Sequence, residues 1–449
     1  MSGSRQSPQL LYAMVAALFH LATAAHAQTS AVLQGTVIDP SGAVVSGVTV
    51  LAEHTATGTQ RHSLTDASGR YQFVALMAGE YRIEVRAQAF GSQILERFVV
   101  DGGRTIVQDF RLALDAVAET VVISARTSPI DRATVSVGHV IDERLVHDTP
   151  LNGRRFVDLG LLLPGSVTPP QGGFLSPPSR GDGFYGFNTA GNREDAVNFM
   201  VNGISVNEQF NDLTMQTSIL TVQEMKVDNS TFSAQYGRNS GAIVNIVTRS
   251  GANSPSGELF EFLRDEALDA RNFFNFFSDE PEPFSRHQFG GSVGGPLIRN
   301  RTFFFAAYEG IRQRQHLDLN SLVLSDAERA SARNPQVMEL LQFIPRANLV
   351  DEQGTARFVG SALAPFDADQ ASLDVTDGIG QNVRLHGYYW YNRDQRREPT
   401  LQGNTIPGFG DVRRRRRHVL TLSETRVLSP TLVNEARFGF ARNAGAAAP

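Results

Sequence analysis

Between Ala31 and Leu112 the chain breaks into short runs in which side-chain character tends to alternate, at 32–38, 48–53, 60–64, 71–73, 81–86, 94–100 and 105–112. Tyr81, Ile83 and Val85 show the alternation most clearly, apolar to one side and polar to the other, as a half-buried strand requires. Turn clusters separate the runs: Pro40-Ser41-Gly42, Ala67-Ser68-Gly69, Ala78-Gly79 and Asp101-Gly102-Gly103. Seven short strands punctuated in this way predict an antiparallel β-sandwich.

The pattern changes beyond residue 126. Leu151 to Leu159 run into Leu163-Pro164-Gly165 and predict a helical stretch stopped by Pro and Gly. A loop rich in Gly, Pro and Ser follows at 169–186. Residues 199–206 place Asn202-Gly203 between apolar arms, the signature of a hairpin with a type I′ turn. Residues 240–251 predict a Gly-initiated buried strand. From about residue 255 another alternation sets in. Leu432, Ala436, Phe438 and Phe440 share one strand face and Glu435 and Arg437 the other, the lipid-out, lumen-in order of a transmembrane barrel. The tyrosine-rich stretch 383–391, with the single tryptophan Trp390, predicts an interfacial aromatic girdle.

The amino terminus reads as an export signal. Arg5 provides the positive start, residues 10–25 an apolar stretch, and Ala25-His26-Ala27 a small-x-small cleavage site, with Gln28 as the first mature residue. The stretch is broken by His20 and short for a span of about 20 residues, which argues against an uncleaved anchor. Past residue 28 there is no apolar run of about 18 residues, so a membrane location requires a closed β-barrel.

Composition narrows the chemistry. Of the 449 residues 41% are hydrophobic and 19% charged, a folding rather than a disordered composition. Net charge is −5, so the chain as a whole offers nucleic acid no attractive field. The absence of cysteine excludes disulfides, thiolate metal sites and a thiol nucleophile. The ten histidines show no metal-binding helix pair, and no cofactor motif is present. Gly290-Gly291-Ser292-Val293-Gly294 matches a nucleophile elbow, but Gly295-Pro296 cannot begin the helix that motif needs, and a glycine-rich turn is expected instead. Gly181-Asp182-Gly183-Phe184-Tyr185-Gly186 matches a dinucleotide fingerprint without the strand and helix on either side. The run from Arg413 to Arg417 fits either a solvated strand end or loop, or contact with lipopolysaccharide phosphates or an anionic ligand.

Several strings also resemble known families. Gly35-Thr36-Val37-Ile38-Asp39, Gly47-Val48-Thr49-Val50, Thr65-Asp66-Ala67-Ser68-Gly69-Arg70-Tyr71 and Gly79-Glu80-Tyr81 resemble the carboxypeptidase regulatory-like domain, a prealbumin-type sandwich grouped with carbohydrate-binding-like folds. The resemblance implies an accessory domain and no peptidase. Glu119-Thr120-Val121-Val122-Ile123-Ser124-Ala125 is a short β-forming run that could add as a strand to a partner's sheet edge. It resembles a TonB box, and it also fits the last strand of the sandwich. Phe199-Met200-Val201-Asn202-Gly203-Ile204, Gly241-Ala242-Ile243-Val244-Asn245-Ile246-Val247-Thr248, Ala270-Arg271-Asn272-Phe273-Phe274 and Phe303-Phe304-Phe305-Ala306-Ala307-Tyr308-Glu309-Gly310 resemble TonB-dependent receptors, the Oar-like subgroup above all.

The expected fold is mostly β: a prealbumin-like β-sandwich, an α+β plug domain, and the first strands of a transmembrane β-barrel, incomplete. The expected layout is a signal peptide at 1–27, the sandwich at 28–114, a linker with the candidate TonB box at 115–126, the plug at 127–250 and barrel at 251–449. A plugged barrel has about 22 strands of roughly 10 residues, so this chain is expected to be the amino-terminal part of a longer protein. The resemblance implies a non-enzymatic outer-membrane receptor without a cofactor. Its implied partners are a TonB-type energy-coupling protein, outer-membrane lipid and lipopolysaccharide, and an extracellular ligand such as a glycan or siderophore. Adhesion or export on the same scaffold, and a carbohydrate-binding periplasmic module, are the alternatives.

Overall fold

The computed structural model describes residues 30–87, 90–113, 121–124, 137–151, 153–167, 186–189, 191–192, 196–207, 213, 215, 217–230, 232, 236–237, 239–271, 281–400, 408, 410–429 and 432–448. The candidate cleavage site Ala27–Gln28, the linker residues Glu119, Thr120 and Ala125, and Gly181 to Tyr185 lie outside the described residues.

The amino-terminal unit holds β1 (Ala31–Ile38), β2 (Thr49–His54), β3 (Thr59–Leu64), β4 (Arg70–Leu76), β5 (Gly79–Arg86), β6 (Gln93–Val100), β7 (Thr105–Val107), β8 (Phe110–Arg111) and β9 (Val121–Ser124). One sheet runs β4-β1-β7, with β8 also on β1, and the other β3-β2-β5-β6-β9. Alternation buries Val50 and Ala52 of β2 against Ile83 and Val85 of β5, all fully enclosed. The turn into β4 works because Gly69 takes φ +67° while the Asp66 carboxylate accepts the N–H groups of Ser68 and Arg70. The last predicted run departs from the antiparallel expectation in two ways. The last predicted strand is split at Gln108-Asp109, and both halves pair parallel with β1. There the Asp109 carboxylate accepts the Thr36 N–H at 2.8 Å and the Gln108 carbonyl accepts the Tyr71 hydroxyl, so side chains interrupt the ladder.

The central unit is a five-stranded sheet in the order β10-β13-β14-β11-β12. Its strands are β10 (Val137–Ile141), β11 (Asn198–Val201), β12 (Ile204–Ser205), β13 (Val222–Ser230) and β14 (Ile243–Thr248). The Asn-Gly hairpin is present, with φ +49° at Asn202 and +79° at Gly203, the double positive φ of a type I′ turn. β14 is the predicted buried strand. The helical stretch is shorter and tighter than expected, a 3₁₀ helix over Phe156–Leu162, because Gly153 and Arg154 turn through positive φ just before it. A short α-helix, Glu143–Asp148, precedes it and is capped by Asp142, which accepts the Leu145 N–H at 2.9 Å.

The third unit contains β15 (Ser256–Asp265), β16 (Phe284–Ile298), β17 (Thr302–Leu322), β18 (Leu349–Val350), β19 (Ala356–Leu363), β20 (Phe366–Ile379), β21 (Val383–Glu398), β22 (Asp411–Ser429) and β23 (Leu432–Ala448). The path β15-β16-β17-β20-β21-β22-β23 is antiparallel throughout and does not close, leaving β15 and β23 as edges. Strands of up to 21 residues exceed the length a bilayer requires and extend the wall beyond it. Residues 299–301 and 380–382 make tight connections at one end, while residues 266–283, 323–365 and 399–410 make long ones at the other. Short turns facing the periplasm and long loops facing outward are the usual polarity of such barrels. The glycines of the apparent elbow form no turn: they lie inside β16, opposite Tyr308 and Glu309. A Cβ at Gly294 would stand 2.7 Å from the Phe305 ring, so the close approach of strand and ring explains the glycine there.

Side chains alternate as the β23 pattern predicts. Leu432, Phe438 and Phe440 are exposed on the outer face, while Glu435 and Arg437 turn inward. Trp390 departs from expectation. It is 1% exposed and packs, with Tyr388 and Val419, into the hydrophobic core of the central unit. The phase of β21 decides this: even-numbered residues there point inward, so Tyr389 and Tyr391 supply the outer aromatics instead.

Candidate functional site

The central unit is held from two sides. On the sandwich side, β13 presents Glu224 and Lys226 while Met225 and Val227 fill the core. Glu224 accepts the Gly102 N–H at 2.7 Å, Lys226 donates to the Gly103 carbonyl at 3.0 Å, and the Gln223 amide donates to the Ala78 carbonyl. Burial pushes the Glu224 carboxyl up to about 8, and the neighbouring Asp101 carboxylate adds to the shift. His54, at the sandwich edge against Tyr81, is pushed down to about 4 by burial, with the Arg384 guanidinium also opposing its protonation.

On the barrel side, a polar seam runs beside the apolar contact of Trp390. The Glu309 carboxylate of β17 accepts the Ser218 hydroxyl and the Gln288 amide. Asp374 of β20 accepts the Thr248 hydroxyl at 2.7 Å and bonds His386 at 2.8 Å, and Asn202 of the hairpin donates to Thr248. The Arg154 guanidinium lies over Phe260 at 4.5 Å and Phe262 at 5.0 Å. Sequence reading missed Glu309 and Asp374. Their signal is phase: Glu309 continues the inward series Phe303, Phe305, Ala307, and Asp374 falls between the inward Ser372 and Thr376. Glu224 has no comparable signal, because nothing local indicates that the sandwich covers it.

Four residues of the candidate partner-binding string, Val121 to Ser124, form β9, and β9 pairs parallel with β6 from Gln93↔Val121 to Glu96↔Ser124. The strand therefore lies at the edge of the second sandwich sheet, with its other edge carrying no partner strand among the described residues. This is the geometry of the sandwich's last strand, and it is also an open edge for strand addition.

The arginine run is no loop: it lies close to the long-loop end of its strand. It lies within β22 and divides by phase: Arg413, Arg415 and Arg417 face inward, Arg414 and Arg416 outward. Arg417 pairs with Asp394 at 2.9 Å and Arg413 with Asp411 at 3.0 Å. The inward three join Arg154, Arg155, Arg286 and Arg396 around a cavity of about 100 Å³, where Glu309 and Asp394 are the lining carboxylates among the described residues. Such a lining favours negative charge.

Two family descriptions match the chain: the carboxypeptidase regulatory-like domain over residues 32–113, and the outer membrane beta barrel domain over 247–333 and 330–449. Among curated proteins the chain is similar to the TonB-dependent transporter Oar of Myxococcus xanthus, 26% identical over 327 residues, covering 70% of this chain and 30% of that one. Among solved structures it is similar to a mutant ferric enterobactin receptor of Pseudomonas aeruginosa, with TM-score 0.46, 10% identity, and coverage of 69% and 40%. It is also similar to the outer membrane transporter YddB of Escherichia coli, with TM-score 0.42, 12% identity, and coverage of 65% and 37%. The chain thus spans less than a third of the length of the curated relative it matches. The protein is an outer-membrane β-barrel protein with an amino-terminal carboxypeptidase regulatory-like domain. More narrowly, its sequence similarity is to the TonB-dependent transporter Oar.

Proposed function

We propose that the protein is a receptor that binds an extracellular ligand and imports it through a plugged barrel, with energy delivered by a TonB-type protein. Residues 127–250 act as the plug, 251–449 as part of the barrel, and 119–125 as the strand the partner grips. The observation that carries this reading is the way the central unit is wedged. Its core is completed by Tyr388, Trp390 and Val419 of the wall, and a polar seam lines the contact. Among the described residues no backbone–backbone hydrogen bond joins the central unit to the wall, so the unit can be displaced by force without breaking the barrel's backbone ladder. No bond of the ligand is made or broken, so no catalytic residue or cofactor is called for, and the arginine-lined cavity suits a ligand with carboxylate or phosphate groups.

The chain has no cysteine, so Val122→Cys gives a unique attachment point. Crosslinking in intact cells should capture the energy-coupling protein at this position, and Ile123→Pro should abolish the product, because proline removes a ladder N–H. A variant present at normal level in the outer membrane that yields no such product would leave β9 as a sandwich edge only. Adhesion or export becomes the better reading if deleting 119–125 leaves the cell's phenotype unchanged.

A further inference from the structure

The outer face of the barrel wall can be read rung by rung, since the register links its outward residues across neighbouring strands. Two rungs are apolar: Phe304, Val375, Gly387, Leu422 and Phe438, then Ala306, Leu373, Tyr389, Leu420 and Phe440. The next, toward the long-loop end, is a border of Tyr308, Ala371, Tyr391, His418 and Arg442. The Tyr389 hydroxyl bonds His418 at 2.8 Å, and the Tyr391 ring lies tilted against the same imidazole at 5.0 Å. Two charged rungs follow: Gly310, Asp369, Arg393, Arg416 and Ala444, then Arg312, Asp367, Gln395, Arg414 and Ala446. Apolar, aromatic and charged layers in this order mark the passage from hydrocarbon to headgroup depth.

The charged layer is lopsided. Its two aspartates sit on β20 and are taken by arginines on either side: Asp369 by Arg312 at 2.8 Å and Arg393 at 3.1 Å, Asp367 by Arg314 at 2.8 Å. In these two rungs the residues of β22 and β23, Arg416 with Ala444 and Arg414 with Ala446, include no carboxylate. Arg414 donates to Gln395, and Arg414, Arg416 and Arg442 make no ion pair among the described residues. Opposite Arg416 and Arg414 stand Ala444 and Ala446, whose methyl groups leave the guanidinium groups uncovered. The result is a shallow groove of about 750 Å³ beyond the aromatic border, where Asp367, Asp369 and Asp394 line one side with Arg393, and Arg414 and Arg416 line the other beside Ala444 and Ala446.

We propose that this groove is a headgroup site for a phosphate-bearing lipid of the outer leaflet. Arg414 and Arg416, flanked by Arg393 and Arg442, pair with the phosphates in the bidentate manner that guanidinium groups favour. The acyl chains lie over Leu373, Leu420 and Phe440. Continuity with the apolar rungs selects a lipid over a soluble anion, because only a lipid occupies both layers together. The inward arginines of the same strand serve the lumen, so alternate residues of one run face two different ligands. This proposal rests on the barrel's place in the outer membrane and is independent of how uptake is energised.

The test uses the full-length protein extracted from outer membranes, stripped of lipid in detergent and examined by native mass spectrometry. The probes are diphosphorylated lipid A, the same lipid with its phosphates removed, and inorganic phosphate. The wild type should retain the diphosphorylated lipid, and Arg414→Gln with Arg416→Gln should weaken retention by about thirtyfold, from a contribution of about 1 kcal/mol for each arginine. Arg414→Lys with Arg416→Lys should restore part of the binding. Arg426→Gln, outward at the opposite end of β22, should change nothing. Equal retention of the dephosphorylated lipid, or displacement by equimolar inorganic phosphate, would overturn the proposal. So would undiminished binding by the double glutamine variant.

Discussion

Glu224 and Trp390 show how much one side chain's surroundings decide. Glu224 rises from an ordinary carboxyl value to about 8, so the folded, docked state holds its proton where the unfolded state releases it. Stability contributed by this group is complete below about 4.5 and is lost as pH rises through about 8. Glu224→Gln keeps an acceptor for the Gly102 N–H and removes the titration. The variant should therefore match the wild type at pH 4.5 and be the more stable at pH 8.5, read as the thermal midpoint of the sandwich–plug contact. A difference that persists at pH 4.5 would refute the linkage. Trp390 is the chain's single tryptophan, which makes fluorescence a direct test of its side of the wall. Enclosed against the plug, it should resist quenching by brominated lipid in the membrane-inserted protein. Strong lipid quenching would return it to the girdle that its tyrosine-rich neighbourhood suggests.

At the scale of elements, local pattern and outcome agree wherever one strand face is buried and the other wet. The first six sandwich runs, the Asn-Gly hairpin and β23 were all legible from alternation and turn residues. Three kinds of feature were not. The 3₁₀ turn at Phe156 depends on positive φ at Gly153 and Arg154, and only the glycine announces such a conformation. The inward placement of Trp390 is a matter of phase, which tyrosines on both faces of β21 conceal. The polar seam of Glu309 and Asp374 needs a partner more than a hundred residues away in one case. β9 carries the most consequence here. It is held by four parallel pairs at a sheet edge, whereas β5 is paired on both sides, so its opening breaks backbone pairing on one side only. Hydrogen exchange should release the amides of 121–124 well before those of Ile83 and Val85. Equal protection would make β9 an integral strand and leave no segment free for a partner to pull.

The two largest cores among the described residues are of different kinds, and a small third one, Leu220 with Phe305 and Ala307, joins the central unit to the wall. The sandwich core, including Leu33, Val50, Phe73, Ile83 and Phe98, draws only on residues of the sandwich itself. The central core includes Phe156, Phe199, Met225 and Val244 but is completed by Tyr388, Trp390 and Val419 from the barrel. A domain whose core is its own can fold alone, while one that borrows large aromatic residues leaves apolar surface bare without them. Residues 30–113 expressed separately should therefore unfold in one cooperative thermal transition. Residues 137–250 alone should bind a hydrophobic dye and lack such a transition, the behaviour of a loosely packed state. Replacing Trp390 by Ala in the intact protein should reproduce part of that effect, since truncating a buried tryptophan costs about 3–5 kcal/mol. A sharp transition in isolated 137–250 would mean that the plug is a rigid stopper needing nothing from the wall. The expected result instead makes the wall part of the plug's own core. On the uptake reading proposed above, pulling the central unit away loosens that unit as well as the seal, so that a path opens without the whole body leaving the barrel.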